Sequence, residues 1–177
     1  KTKYVISITN GTSALYLSLL ACGVKRDDEV LVPTVTFVAT ANAVAHLGAI
    51  PHFIDSEINT LGVDVEKLEK YLKKNSIKKG KFLFNKKTKR RIRAVVPVHV
   101  FGNICKIKEL TKLARKFNIL VIEDATEALG SFLQSKHAGT FGLVGCLSFN
   151  GNKILTTGGG GALLTNNKKI AKKMKHL

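Results

Sequence analysis

Residues 147–166 read LSFNGNKILTTGGGGALLTN, and Lys153 is the only charged residue among them, in a chain that elsewhere carries lysine freely. An apolar run ends at Ser148, two asparagines flank a glycine before the lysine, and four glycines precede a second apolar run. An amine sheltered by apolar and glycine-rich neighbours is a better nucleophile than a solvated one, although a surface lysine needs no function to explain it. Two other stretches join this question. Asn10-Gly11-Thr12-Ser13 leads from an apolar run into a helical pattern. A helix start of that kind carries partial positive charge and free N–H groups that suit a phosphate; plain N-capping by Thr12 or Ser13 is the alternative. Leu120-Val121-Ile122-Glu123-Asp124 ends an apolar run in two acids. Such acids cap the next segment, bind a metal or pair with a ligand cation. No His or further carboxylate cluster accompanies them, which disfavours the metal.

Taken singly, each stretch has a structural explanation. Together, a phosphate cradle, a strand-end acid and a sheltered amine are the three contacts that pyridoxal 5'-phosphate needs for its phosphate, its pyridine nitrogen and its aldehyde.

These groups must be positioned by an alternation of strands and helices. Apolar runs at 4–9, 29–32, 50–54, 94–100, 120–122, 146–149 and 162–164 predict seven strands. Helical spacing predicts helices over 12–22, 37–47, 63–72 and 106–117, with a further helical pattern reaching Leu177. Strands apolar on both faces, alternating with helices, imply an α/β fold: a mostly parallel seven-stranded sheet with helices on both faces. Ligands of such sheets sit beyond the carboxyl ends of the strands, where all three stretches fall.

With 177 residues and 45% hydrophobic content, the chain is long enough for one domain with a substantial core. No apolar stretch approaches the roughly 20 residues of a membrane span. Cys22, Cys105 and Cys146 lie far apart among apolar residues, which predicts buried free thiols in a reducing, cytoplasmic setting. The net charge of +17 raises the possibility of nucleic-acid binding. Its distribution argues otherwise, because residues 73–93 hold 11 of the 29 basic residues and no acid. Phe82-Leu83-Phe84 alternates as a strand, and Asn85-Lys-Lys-Thr turns back toward Ile92. This predicts a basic hairpin-like insertion with a solvated charged face, and no specific nucleic-acid partner.

The stretches NGTSAL, DEVLVPTVTFVATANAV, GAIPHFID, AVVPVHVFGN, VIEDATEALGS and SFNGNKILTTGGGGALLTN carry a resemblance. They are similar, in order and over nearly the whole chain, to the fold-type I sugar aminotransferases of the DegT/DnrJ/StrS family. SFNGNK, GGGG and the basic insertion look closest to the branch assigned to legionaminic-acid-type biosynthesis. The resemblance implies a pyridoxal-phosphate-binding large domain over 1–177, with Lys153 as the Schiff-base lysine. It implies Asp124 at the pyridine nitrogen, Phe37 stacked on the ring, and Gly11, Thr12, Ser13 and Ser148 around the phosphate. Glu127 stands where much of the family has Gln, reaching the phenolic oxygen. Asn150 stands where many relatives have His, so no role transfers to it, and Leu143 replaces an acid usual in the following turn.

The same resemblance implies transfer of an amino group from an amino acid, glutamate in most relatives, to a nucleotide-linked keto sugar, by a homodimer. It also implies that an N-terminal arm and a small C-terminal domain complete the protein, of which this chain would be a fragment. A sugar dehydratase is the nearest alternative, but those relatives replace the lysine with His. A non-catalytic, regulatory member that retains the lysine is the other.

Overall fold

Val30, Leu31 and Val32 are each 0% exposed because successive side chains of one strand enter two different cores. Val30 and Val32 pack with Ala14, Leu15, Ala43 and Met174, whereas Leu31 packs with Leu68, Leu72 and Leu110. Val95 and Val121 divide from Ala94 and Ile122 in the same way. A sheet buried on both faces follows. Each fully buried Leu or Val contributes about 1.5–3 kcal/mol over the exposed state.

The structure is a computed structural model and describes residues 2–177. In chain order its elements are β1 (Tyr4–Ile8), α1 (Gly11–Ala21), β2 (Glu29–Pro33), α2 (Val38–Ala45), β3 (Ile50–Ile54), α3 (Val65–Asn75), β4 (Ser76–Lys79), β5 (Phe82–Asn85), β6 (Arg91–Val95), α4 (Ile107–Phe117), β7 (Leu120–Asp124), β8 (Phe132–Leu133), β9 (Lys136–His137), β10 (Val144–Ser148), β11 (Gly161–Thr165) and α5 (Lys168–His176). Helices α1, α2 and α5 cover one face of the sheet and α3 and α4 the other.

The seven expected strands form the path β1-β11-β10-β7-β6-β2-β3. The five strands from β10 to β3 are parallel, while β11 runs antiparallel to both β10 and β1. The sheet is nonetheless larger and more mixed than expected, with nine strands. The additional β4 and β5 come from the basic insertion: β4 pairs antiparallel with β5, and β5 with β6. The expected strand over 94–100 is also corrected. Its regular part is β6, and Pro97, with no N–H to donate, ends it. Val98 keeps a single bridge to Asp124, and Val100–Gly102 is a 3-10 turn.

Register places the functional ends together. Ile8 and Ser148 both face Gly161, so the exits of β1 and β10 lie at one end of the sheet. Asp124 and Pro33 close parallel strands at that same end. The basic hairpin joins at the opposite end, where Leu83 and Glu29 flank Ile92 near the starts of β2 and β6. All three cysteines are free and buried. Burial pushes the Cys22 thiol up to about 12 and raises Cys105 and Cys146 as well.

Candidate active site

The turn from β1 into α1 is closed by Asn10, not by Thr12 or Ser13. Asn10 Oδ1 accepts from the Ser13 N–H at 2.7 Å, and its carbonyl accepts from Ala14 N–H at 3.0 Å. The cap therefore uses the third and fourth amides and leaves the hydroxyls of Thr12 and Ser13, with the N–H groups of Gly11 and Thr12, at the open first turn. Gly11 is needed here for closeness. A Cβ at this position would lie 2.8 Å from Ser148 Cβ and 3.0 Å from Thr126 Cγ2. Three strand ends converge on this turn, and only hydrogen fits between them.

Asp124 is 3% exposed, and every part of it is held. Its Oδ2 accepts from Thr40 Oγ1 at 2.7 Å, and its Oδ1 accepts from Thr126 Oγ1 at 2.8 Å and Thr126 N–H at 3.2 Å. Its neighbour Glu123 points the other way, as strand alternation requires. Glu123 is fully buried and accepts from the amides of Gly139 (2.8 Å), Phe141 (2.6 Å) and Gly142 and from His99 Nε2 (3.0 Å). His99 Nδ1 accepts from Cys105 N–H at 3.3 Å, which leaves Nε2 to donate. One acid locks the loops around the end of β7; the other faces the cavity.

Lys153 sits in the turn after β10, its N–H donating to Asn150 O at 3.0 Å. Its side chain is 15% exposed, with Nζ 3.6 Å from Glu127 Oε1 and 6.0 Å from the centre of the Phe37 ring. Glu127 is fixed from the other side by Phe101 N–H, which donates to Oε2 at 2.9 Å. Phe101 adopts a left-handed φ of 51° to present that amide, a conformation that costs a non-glycine residue of order 1 kcal/mol or more. Phe37 stands at the start of α2 and is 67% exposed.

One cavity of about 670 Å³ is lined by all eight expected residues: Gly11, Thr12, Ser13, Phe37, Asp124, Glu127, Ser148 and Lys153. Asn10, Tyr16, His46, Thr126, Asn150 and Asn152 complete much of its wall. Of these, Asn10 has a sequence signal in the N-cap spacing ahead of Ser13. Thr126 has one in the Asx-turn spacing, two residues after Asp124, whereas Thr40 and Phe101 have none, because their contacts reach across 84 and 26 residues. Among the described residues, no group of three or more His, Cys, Asp or Glu could hold a metal ion, and no helix is long and apolar enough to cross a membrane.

Known proteins resemble this arrangement in sequence and in shape. GDP-perosamine synthase of Caulobacter vibrioides is 40% identical over 175 residues, covering 99% of this chain and 43% of that protein. The crystal structure of a DegT DnrJ EryC1 StrS aminotransferase from Brucella abortus superposes with a TM-score of 0.89 at 32% identity, over 98% of this chain and 44% of that one. NtdA of Bacillus subtilis, solved with bound cofactor PMP, has a TM-score of 0.81 at 31% identity, over 98% of this chain and 35% of that one. The chain thus spans less than half the length of these relatives. With a family profile matching residues 1–177, the chain belongs to the DegT/DnrJ/EryC1/StrS aminotransferase family.

Proposed function

We propose that the protein containing this chain is a pyridoxal-phosphate-dependent aminotransferase. It would move an amino group from an amino acid, glutamate by the family resemblance, to C4 of a nucleotide-linked 4-keto-6-deoxy sugar. The observation that carries this reading is the meeting of Lys153, Asp124 and the open first turn of α1 on one cavity.

The chain's own geometry fits the cofactor. The first turn of α1 at Gly11 and Thr12 faces the cavity beside the Ser148 hydroxyl, which the absence of a side chain at Gly11 lets approach closely. A buried carboxylate faces the same space, and a largely sheltered amine closes it. Bound there, pyridoxal phosphate supplies an electron sink for charge developing at the donor's α-carbon. Gly11, Thr12, Ser13 and Ser148 hold its phosphate at the positive end of α1. Asp124, fixed by three donors, keeps a proton on the pyridine nitrogen. Phe37 covers one face of the ring. Lys153 would hold the cofactor at its aldehyde end, and its amine, when free, would serve as the base and then the acid that moves a proton. Glu127, steadied by Phe101 N–H, reaches the phenolic oxygen.

Similarity to GDP-perosamine synthase supports a nucleotide sugar as acceptor, and the resemblance to the legionaminic-acid-type branch supports C4 as the position aminated. The SFNGNK and GGGG stretches and the basic insertion support a place in nonulosonic acid and surface polysaccharide biosynthesis. Phe101 and Ile154, 80% and 67% exposed beside the site, support a homodimer that covers them.

Borohydride reduction of the full-length protein with pyridoxal phosphate, followed by peptide mapping, is expected to label Lys153. A label on another lysine, or none, would sink the assignment. A panel of nucleotide-linked ketosugars with glutamate then separates an aminotransferase from a dehydratase or a regulatory binding protein.

A further inference from the structure

The residue that carries more than a structural role is Thr40. It is 1% exposed in the first turn of α2 and donates to Asp124 Oδ2 at 2.7 Å. Its Oγ1 also lies 2.7 Å from Thr36 Oγ1. A hydroxyl has one proton and a carboxylate only accepts, so the proton of Thr40 goes to Asp124; Thr36, whose hydroxyl also lies 3.2 Å from Phe37 O, then donates to Thr40 over the shorter contact. The chain of donors therefore runs from Thr36 through Thr40 to Asp124. It starts beside Phe37, whose carbonyl accepts from Thr40 N–H at 3.1 Å. One helical turn thus presents the aromatic face and, through a buried hydroxyl, grips the acid that addresses the ring edge. Thr126 holds only the other oxygen, Oδ1.

The geometry points to Thr40 as the positioning residue that sets Asp124 and Phe37 in mutual register for a flat, protonated pyridine ring. This rests on the cofactor reading above and adds to it the element that aligns the ring. Without the Thr40 proton, Oδ2 swings free while the fold persists, since Thr126 still anchors the carboxylate.

The test uses full-length protein and 4'-deoxypyridoxine 5'-phosphate, a ring analogue with no aldehyde, so that Lys153 plays no covalent part. Thr40→Val, close to isosteric, is expected to weaken its affinity about ten- to hundredfold, the loss typical of a hydrogen bond to a charged group. Thr40→Ser restores the donor and is expected to bind within about threefold of wild type. Thermal melts of the cofactor-free variants are read alongside. Should Thr40→Val fail to fold, the half-buried Thr36→Val removes the proton feeding Thr40 and is expected to cost roughly two- to fivefold. Wild-type affinity in a folded Thr40→Val, or in Thr36→Val where Thr40→Val does not fold, overturns the proposal and leaves the cofactor reading intact. No binding by wild type overturns both.

Discussion

Asp124 and Glu123 are chemically alike, and their surroundings give them opposite duties. Strand alternation sends Glu123 into a closed nest of three amides and His99, and Asp124 toward the cavity. Glu123→Ala strips the acceptor from two buried donors, His99 and Gly139, and two half-buried ones, Phe141 and Gly142, and is expected to destabilise the cofactor-free protein by about 3–5 kcal/mol. Urea unfolding checks this, and a loss under about 1 kcal/mol would contradict it. Lys153, Asp124 and the turn at 10–13 were legible in the sequence as candidates because each stands at an element junction and the three together match one chemistry, although each alone is ordinary. The hydroxyl of Thr40 was not, because its partner lies 84 residues away and a threonine in a helix has no spacing that announces a contact. The cap was legible as a turn but not to the residue: Asn10, Thr12 and Ser13 are all plausible caps by type, and Asn10 takes the role with its extended backbone at φ −168°.

Among the elements, β6 and the hairpin show what apolar patterning can and cannot give. Seven strands were legible as apolar runs bounded by breakers. Strand β4, Ser-Ile-Lys-Lys, hides within the lysines, and β8 and β9, two residues each, are too short to show a period. The turn after β5 is held by a contact invisible in sequence. Glu29, 1% exposed on β2, accepts from Asn85 Nδ2 at 3.0 Å, from Thr88 Oγ1, and contacts His52 Nδ1 at 2.9 Å. Burial alone pushes its carboxyl up, but the hydrogen bonds of Thr88, Asn85 and His52 outweigh that and hold it below its ordinary 4.5. A carboxyl lowered by folding adds stability that is complete above its unfolded value and fades as pH falls through the folded one. The gap in melting temperature between wild type and Glu29→Gln is therefore expected to be widest near about pH 7 and to shrink progressively below about pH 4.5. Melts across that range decide it, and a gap independent of pH would exclude the Glu29 anchor as its source.

For the whole molecule, the sheet keeps its two charged ends apart. The candidate site lies beyond the carboxyl ends of the parallel strands, whereas the hairpin joins at their starts. Five residues of strand separate those ends by roughly 16 Å, about twice the Debye length of about 8 Å at physiological ionic strength. Attraction between hairpin lysines and a phosphate in the cavity is screened over that span. Some of these lysines already have local work. Lys78 Nζ donates to Lys116 O at 2.6 Å and Lys86 Nζ to Lys74 O at 2.7 Å, at the negative ends of α4 and α3. Among the described residues, Lys79, Lys81 and Lys87 donate to no such carbonyl, and all three are exposed. Changing these three to Gln is expected to leave the affinity of full-length protein for pyridoxal phosphate within about twofold of wild type at physiological salt. A tenfold weakening at physiological salt would instead place the hairpin within electrostatic reach of the cavity, which the register of β2, β5 and β6 argues against.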